Sequence, residues 1–247
     1  MTAREYLYNI FHYEFPTPQP LWTYEDGLAG IVDKWGDLKQ LPQVTVPKGQ
    51  PFAHQETAQE KRARLFSTME ILPSIIDLKG RVLVSNVPYK VDKIANRIIG
   101  DKIRYAAIAH KFANPIMWYH IGLLHQMEAG GDFSRYLGNG QPLNKVTTIV
   151  PKGRGPFSSF ESGAIDAIRY DKLDQIKDWS IGNTLYVLEG FNGYGYEKYK
   201  GINTPYLWSG SNQYTAGYYV ADSVYSKTAV SQQVGIALIY KRILELI

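Results

Sequence analysis

Residues 113–131 read ANPIMWYHIGLLHQMEAGG, a run with no charged side chain until Glu128, after which two glycines follow almost at once. Read at 3.6 residues per turn, Ile116, Met117, Trp118, Tyr119, Ile121, Leu123, Leu124 and Met127 are apolar nearly all round, which demands burial on most faces. Asn114–Pro115 has the form of a cap and first helical residue, and Gly130–Gly131 that of a stop, so the pattern predicts a helix over 115–128. Such a helix does not end naturally on a glutamate. Either Glu128 points to water beyond the helix end, or it is a carboxyl held out of water for a purpose.

The segments around it predict a mainly α (α+β) domain. Val91, Ile94, Ile98, Tyr105, Ala109 and Phe112 recur at three-to-four-residue spacing, with Gly100 as a dividing point between two helices. Three further segments, SFESGAIDAIRY, WSIGNTLYVLEGF and the C-terminal TAVSQQVGIALIYKRILELI, complete the helical set. KVTTIVP (145–151), flanked by GNGQP and PKGRGP, is the best strand, giving a small β-hairpin.

The first 80 residues differ. Their proline-punctuated stretches EFPTPQP and LPQVTVPKGQPF predict irregular chain, with helices over roughly 23–35 and 54–72. They hold eight Lys/Arg against ten Asp/Glu, whereas 81–247 hold nineteen against thirteen. The division predicted is an extension over 1–80, for packing or docking, and a main helical domain over 85–247, the part that carries Glu128.

Composition excludes several functions. The chain has no cysteine, so disulfides and thiolate metal sites are out. No apolar run approaches the ~18 residues of a membrane span, and the N-terminus lacks the apolar stretch of a secretory signal. The net charge of +4 suits a polyanionic partner such as nucleic acid or an anionic cell wall, and equally a generic soluble surface of slightly high pI. Neither an Arg/Lys run nor an RNA-binding aromatic signature points to nucleic acid. His110, His120 and His125 are spaced by ten and five, which suits core or groove histidines rather than a metal set. No cofactor is called for.

Chemistry gathers in two places. A carboxylate at the negative end of a helix dipole, among apolar side chains, is pushed toward its neutral form and becomes a proton donor near neutral pH. Downstream, LEGFNGYGYEKYKGINTPYLWSGSNQY interleaves aromatics, Tyr194 and Tyr214 among them, with glycines and prolines. Flat rings on such a frame suit sugar binding, and equally suit a tyrosine-rich packing loop. Asp132 is the nearest second acid, or a turn aspartate bonded to its own backbone. Glu161, Asp166 and Glu189 fall on predicted helices in structural roles.

LLHQMEAGGDF resembles the glutamate motif that ends the catalytic helix of lytic transglycosylases and goose-type lysozymes, and LEGFNGYGYEKYKGINTPY resembles their AYNAGxG and GIPPY-like segments. YLGNGQPL, TTIVPKGRGPF, AIDAI and YLWSGSNQYTAGYYVADSVYSKTAVSQQVG are similar, in the same order, to motifs of bacterial and phage lysozyme-family proteins. The likeness covers about 91–247. It implies a lysozyme-like helical fold and cleavage of the MurNAc–GlcNAc glycan strand of peptidoglycan, with Glu128 as general acid. Asn192 stands where the motif asparagine belongs. Tyr214, with Tyr219 as its rival, stands for the tyrosine that follows, and Thr147 and Thr148 either order a nucleophilic water or simply favour extended chain. The family's GLMQ signature is missing, which leaves hydrolysis and transglycosylation both open. The setting implied is a phage endolysin, held in the host cytoplasm until released to the wall. The alternative is a virion tail or baseplate hydrolase docked to tail proteins through 1–80.

Overall fold

The capping box at Thr57 starts the first helix. Its hydroxyl accepts from Glu60 N at 3.1 Å, and the Glu60 carboxylate accepts from Thr57 N at 2.8 Å, so two otherwise orphaned amides are satisfied reciprocally. The computed structural model describes residues 55–114, 116–221 and 223–247. Among these, nine α-helices and two antiparallel hairpins follow in order: α1 (Ala58–Ser67), β1 (Ser74–Ile76), β2 (Val82–Ser85), α2 (Val87–Gly100), α3 (Lys102–Ala109), α4 (Trp118–Ala129), α5 (Phe160–Tyr170), α6 (Ile181–Glu189), α7 (Gly195–Lys200), α8 (Pro205–Trp208), β3 (Tyr218–Ala221), β4 (Val224–Ser226) and α9 (Ile236–Leu246). The fold is mainly helical.

The apolar run forms the central helix, α4. Of its twelve residues only Gln126 and Glu128 escape full burial, as a helix that is hydrophobic all round requires. Helices α2, α3 and α9 pack against it. Gly122 makes room for this: a Cβ there would lie 2.4 Å from the Ile98 side chain of α2. The helix ends at Gly130, whose φ of +62° is the left-handed stop expected of glycine. Its start lies three residues later than the sequence predicts. The Asn114 side chain donates to Asp174 O at 3.0 Å, where it ties down another segment instead of capping, and α4 begins only after Met117. The division near Gly100 holds, with Asp101 between α2 and α3.

Two expectations are corrected. Residues 145–151 form no strand, because local groups take the backbone partners a neighbouring strand would have used. The Gln141 carboxamide oxygen accepts from Thr148 N and Ile149 N at 2.7 and 3.1 Å, while Thr147 N donates to Arg154 O at 2.9 Å. The hairpins lie instead at 74–85 and 218–226.

The second correction concerns the boundary. Residues from Gln55 onward belong to one compact unit with the rest of the described chain, so the division falls at 54/55 and not between 80 and 85. Leu65, Phe66, Met69, Ile75 and Val84 contribute to the same core as α4, and α1 packs along α6. The helix predicted over 23–35 lies outside the described residues. No helix among the described residues is long and apolar enough to cross a membrane.

Candidate functional site

Glu128 lies in the last turn of α4, close to where the helix carbonyls run out of intrahelical partners. Neighbours supply some. Arg97 of α2 donates Nη1 to Gly130 O at 2.9 Å and pairs with the Gln126 side chain; Gln233 Nε2 donates to Met127 O at 3.2 Å. The GNGQP turn closes over the same end. Gly140 has φ +71°, and a Cβ on it would meet Glu128 O at 2.3 Å, so this turn approaches the helix as only a glycine allows.

Among the described residues the carboxyl has one hydrogen-bond donor. Tyr206 Oη donates to Glu128 Oε1 at 2.7 Å. Burial pushes the Glu128 carboxyl up to about 7; the Tyr206 bond opposes the rise, and the charge of Asp171, just past the end of α5, adds to it. A carboxyl raised this far can carry its proton near neutral pH. Burial and the adjacent Glu128 raise the Tyr206 phenol well above its ordinary value, so it stays a donor through the working range.

Tyr206 is aimed by its own short helix. Thr204 caps α8, accepting from Tyr206 N at 3.3 Å, and Pro205 fills the first position, where a missing N–H costs nothing. The Asn192 carboxamide donates to the same Thr204 hydroxyl at 3.4 Å. A chain of contacts thus runs from Asn192 through Thr204 and Tyr206 to Glu128, and links the two sequence regions singled out for chemistry. Tyr206 was not singled out by sequence reasoning. The signal was Thr204–Pro205, a cap followed by proline, which sets Tyr206 on a first helical turn.

The other residues scatter. Tyr194 is 36% exposed, stacks on Tyr186 (centroids 4.7 Å, 17°) and donates to Tyr186 O at 3.2 Å. Thr148 is exposed, its hydroxyl accepting from Gln141 Nε2 at 2.9 Å, on the turn that touches Glu128. Thr147 is 3% exposed; its hydroxyl donates to Pro151 O at 2.6 Å and accepts from Arg154 N at 2.9 Å, so both its capacities serve the loop. Tyr214 is 8% exposed, donating to Gly217 O at 3.1 Å and accepting from Ser231 N at 3.3 Å. Thr147 and Tyr214 lie in the interior and present no free hydroxyl to a groove. Tyr219, the rival, packs edge-on against Tyr196 and Tyr225.

The remaining acids have partners. Asp132 accepts from Ser134 N at 2.9 Å, the turn role anticipated, and hydrogen bonds from Ser134 hold it below the usual carboxylate range. Glu161 pairs with Arg104, Asp166 with Arg154 and Glu189 with Arg62. His120 stacks on Trp179 at 4.3 Å, and His125 Nδ1 bonds the Tyr105 hydroxyl at 2.9 Å. Burial lowers these imidazoles to about 3 and about 4, so both are neutral core groups. A separate concavity of about 480 Å³ lies between the 74–85 hairpin and residues 210–215, and Glu128 does not line it. Comparison with known proteins found no matching family model, no matching curated protein and no matching solved structure.

Proposed function

We propose that the protein is a glycosidase that cuts the MurNAc–GlcNAc strand of peptidoglycan, with Glu128 as its general acid. One observation carries the reading: a carboxyl at the end of a buried helix, raised to about 7 and held by Tyr206, within a short relay of Asn192. A protonated Glu128 gives its proton to the glycosidic oxygen as the bond to the anomeric carbon breaks, and the emerging carboxylate keeps the Tyr206 hydrogen bond. Asn192, joined to the Tyr206 helix through Thr204, and the partly exposed ring of Tyr194 on the same turn would hold sugar edges and faces. The resemblance of residues 91–247 to lysozyme-family motifs supports the substrate class.

Transglycosylation is the second reading. Asp132, Glu161, Asp166 and Glu189 are all engaged with cationic or backbone partners, so none of these four is assigned as a base for water, and attack by the sugar's own 6-hydroxyl needs none. The biological setting proposed is phage-borne wall lysis, as a free endolysin or as a virion component. Mass spectrometry of digested peptidoglycan separates the chemistries: reducing ends mean hydrolysis, 1,6-anhydro ends transglycosylation. Glu128→Gln should abolish turbidity clearing while leaving the fold and wall binding intact, since positioned acid catalysis contributes roughly 100–10,000-fold. Clearing by this variant at more than about a tenth of the wild-type rate would sink the assignment.

A further inference from the structure

Arg62 is a charged side chain almost wholly removed from water, 3% exposed, on the helix farthest in sequence from the candidate site. Its Nε donates to Glu189 Oε2 at 2.7 Å, Nη2 lies 2.6 Å from the same oxygen and 3.0 Å from Glu197 Oε2, and Nη1 donates to Ala58 O at 2.7 Å. Lys61 reinforces the outer partner, its Nζ donating to Glu197 Oε1 at 2.7 Å. A buried ion pair of this kind is weak evidence for stability, because the desolvation of both charges offsets most of their attraction. Its geometry is more informative.

Glu189 is the last residue of α6, and Glu197 lies in the first turn of α7. Between them runs the turn 190–194, which carries Asn192 and Tyr194. The guanidinium therefore grips both ends of one loop, as only a planar fork with several fixed donors can. It also lies 5.2 Å from the Tyr186 ring on which Tyr194 stacks. Thr204, cap of the helix bearing Tyr206, lines the same small void of about 10 Å³ as Arg62, Glu189 and Glu197.

We propose that Arg62 is a positioning residue: by clamping Glu189 and Glu197 it holds the 190–194 turn, and with it Asn192 and Tyr194, in the geometry that receives substrate. Helix α1 is then a working part of the site and not a covering piece. The activity arm of this inference rests on the glycosidase reading; the structural arm does not.

The test uses the full chain carrying paired Arg62→Met and Glu189→Met, which removes both buried charges together and leaves neither unpaired. A second variant, Glu197→Gln, keeps the buried pair and loosens only the α7 end, so it folds even where the first does not. Amide hydrogen exchange of peptides covering 190–197 should quicken by about tenfold or more in the paired variant and by less in Glu197→Gln, with 118–129 unchanged. On soluble glycan KM should rise about tenfold while kcat falls far less, because ground-state contacts are lost and Glu128 is untouched. Unchanged exchange across 190–197 in a folded variant overturns the clamp. Quickened exchange with wild-type KM on a cleavable glycan overturns its role in substrate positioning. If the wild type cuts no glycan, the function reading fails while the exchange result still decides whether Arg62 holds the turn.

Discussion

The raised Glu128 carboxyl should be measurable without any substrate, through the pH dependence of stability. Its ordinary value is 4.5, and in the folded protein it stands at about 7. Below the unfolded value both states hold the proton and nothing is lost. Between 4.5 and 7 the unfolded chain has released its proton while the folded protein retains it. The folded state then binds more protons, so stability falls as pH rises through this window and levels off above it. At about 1.4 kcal/mol per pH unit across the window from 4.5 to about 7, the total is about 3.5 kcal/mol. Gln at 128 has the same shape and still accepts the Tyr206 hydrogen bond, but it does not titrate. The difference in melting temperature between Glu128→Gln and the wild type should therefore grow from pH 4 to pH 8. At roughly 2–4 °C per kcal/mol for a domain of this size, the growth is about 7–14 °C. Circular-dichroism melts at half-unit pH steps measure it, and the buried histidines cancel because both proteins carry them. Parallel curves across that range would refute the reasoning: Glu128 would be an ordinary solvated carboxylate, and its role as an acid near neutral pH would fall with it.

Asp171→Asn removes a like charge that raises Glu128, so the alkaline limb of the pH–rate profile should move to lower pH; Tyr206→Phe removes the opposing hydrogen bond and should move it to higher pH with a reduced kcat. A chain beginning at Ser85 should fail to fold by circular dichroism, since it loses Leu65, Phe66, Met69, Ile75 and Val84 from the core and leaves Glu189 buried without Arg62, the latter alone costing about 3–5 kcal/mol. A chain beginning at Gln55 should fold. Tyr214→Phe should lower stability by about 1–3 kcal/mol in denaturant titrations, because Gly217 O and Ser231 N lose an interior partner, and should leave glycan affinity unchanged.

Local chemistry was enough for the central helix and for the glycine stop just beyond Glu128. The unbroken apolar run, Glu128 and the glycine stop are all local; that the carboxyl is held out of water instead of pointing past the helix end was decided by tertiary packing, where the GNGQP turn and Tyr206 meet Glu128. The division of 87–109 near Gly100 is local too. The 145–151 segment was misread because β-branched residues favour extended chain without saying whose amides will pair with it. Here the Gln141 side chain and Arg154 did so. Composition likewise could not tell which aromatic in 191–214 reaches the acid. Tyr206 and Tyr214 sit in similar turn-rich surroundings, and only the packing of α8 against the core turns one toward Glu128 and the other inward. The boundary at 54/55 was hidden for the same reason. Charge balance and proline content marked 1–80 as different, but α1 is joined to the body by the burial of Leu65 and Phe66 in the common core and by a pairing between Arg62 and Glu189 across 127 residues. Spacing along a chain reports which faces are apolar; which distant charge meets which is decided only when those faces close on one another.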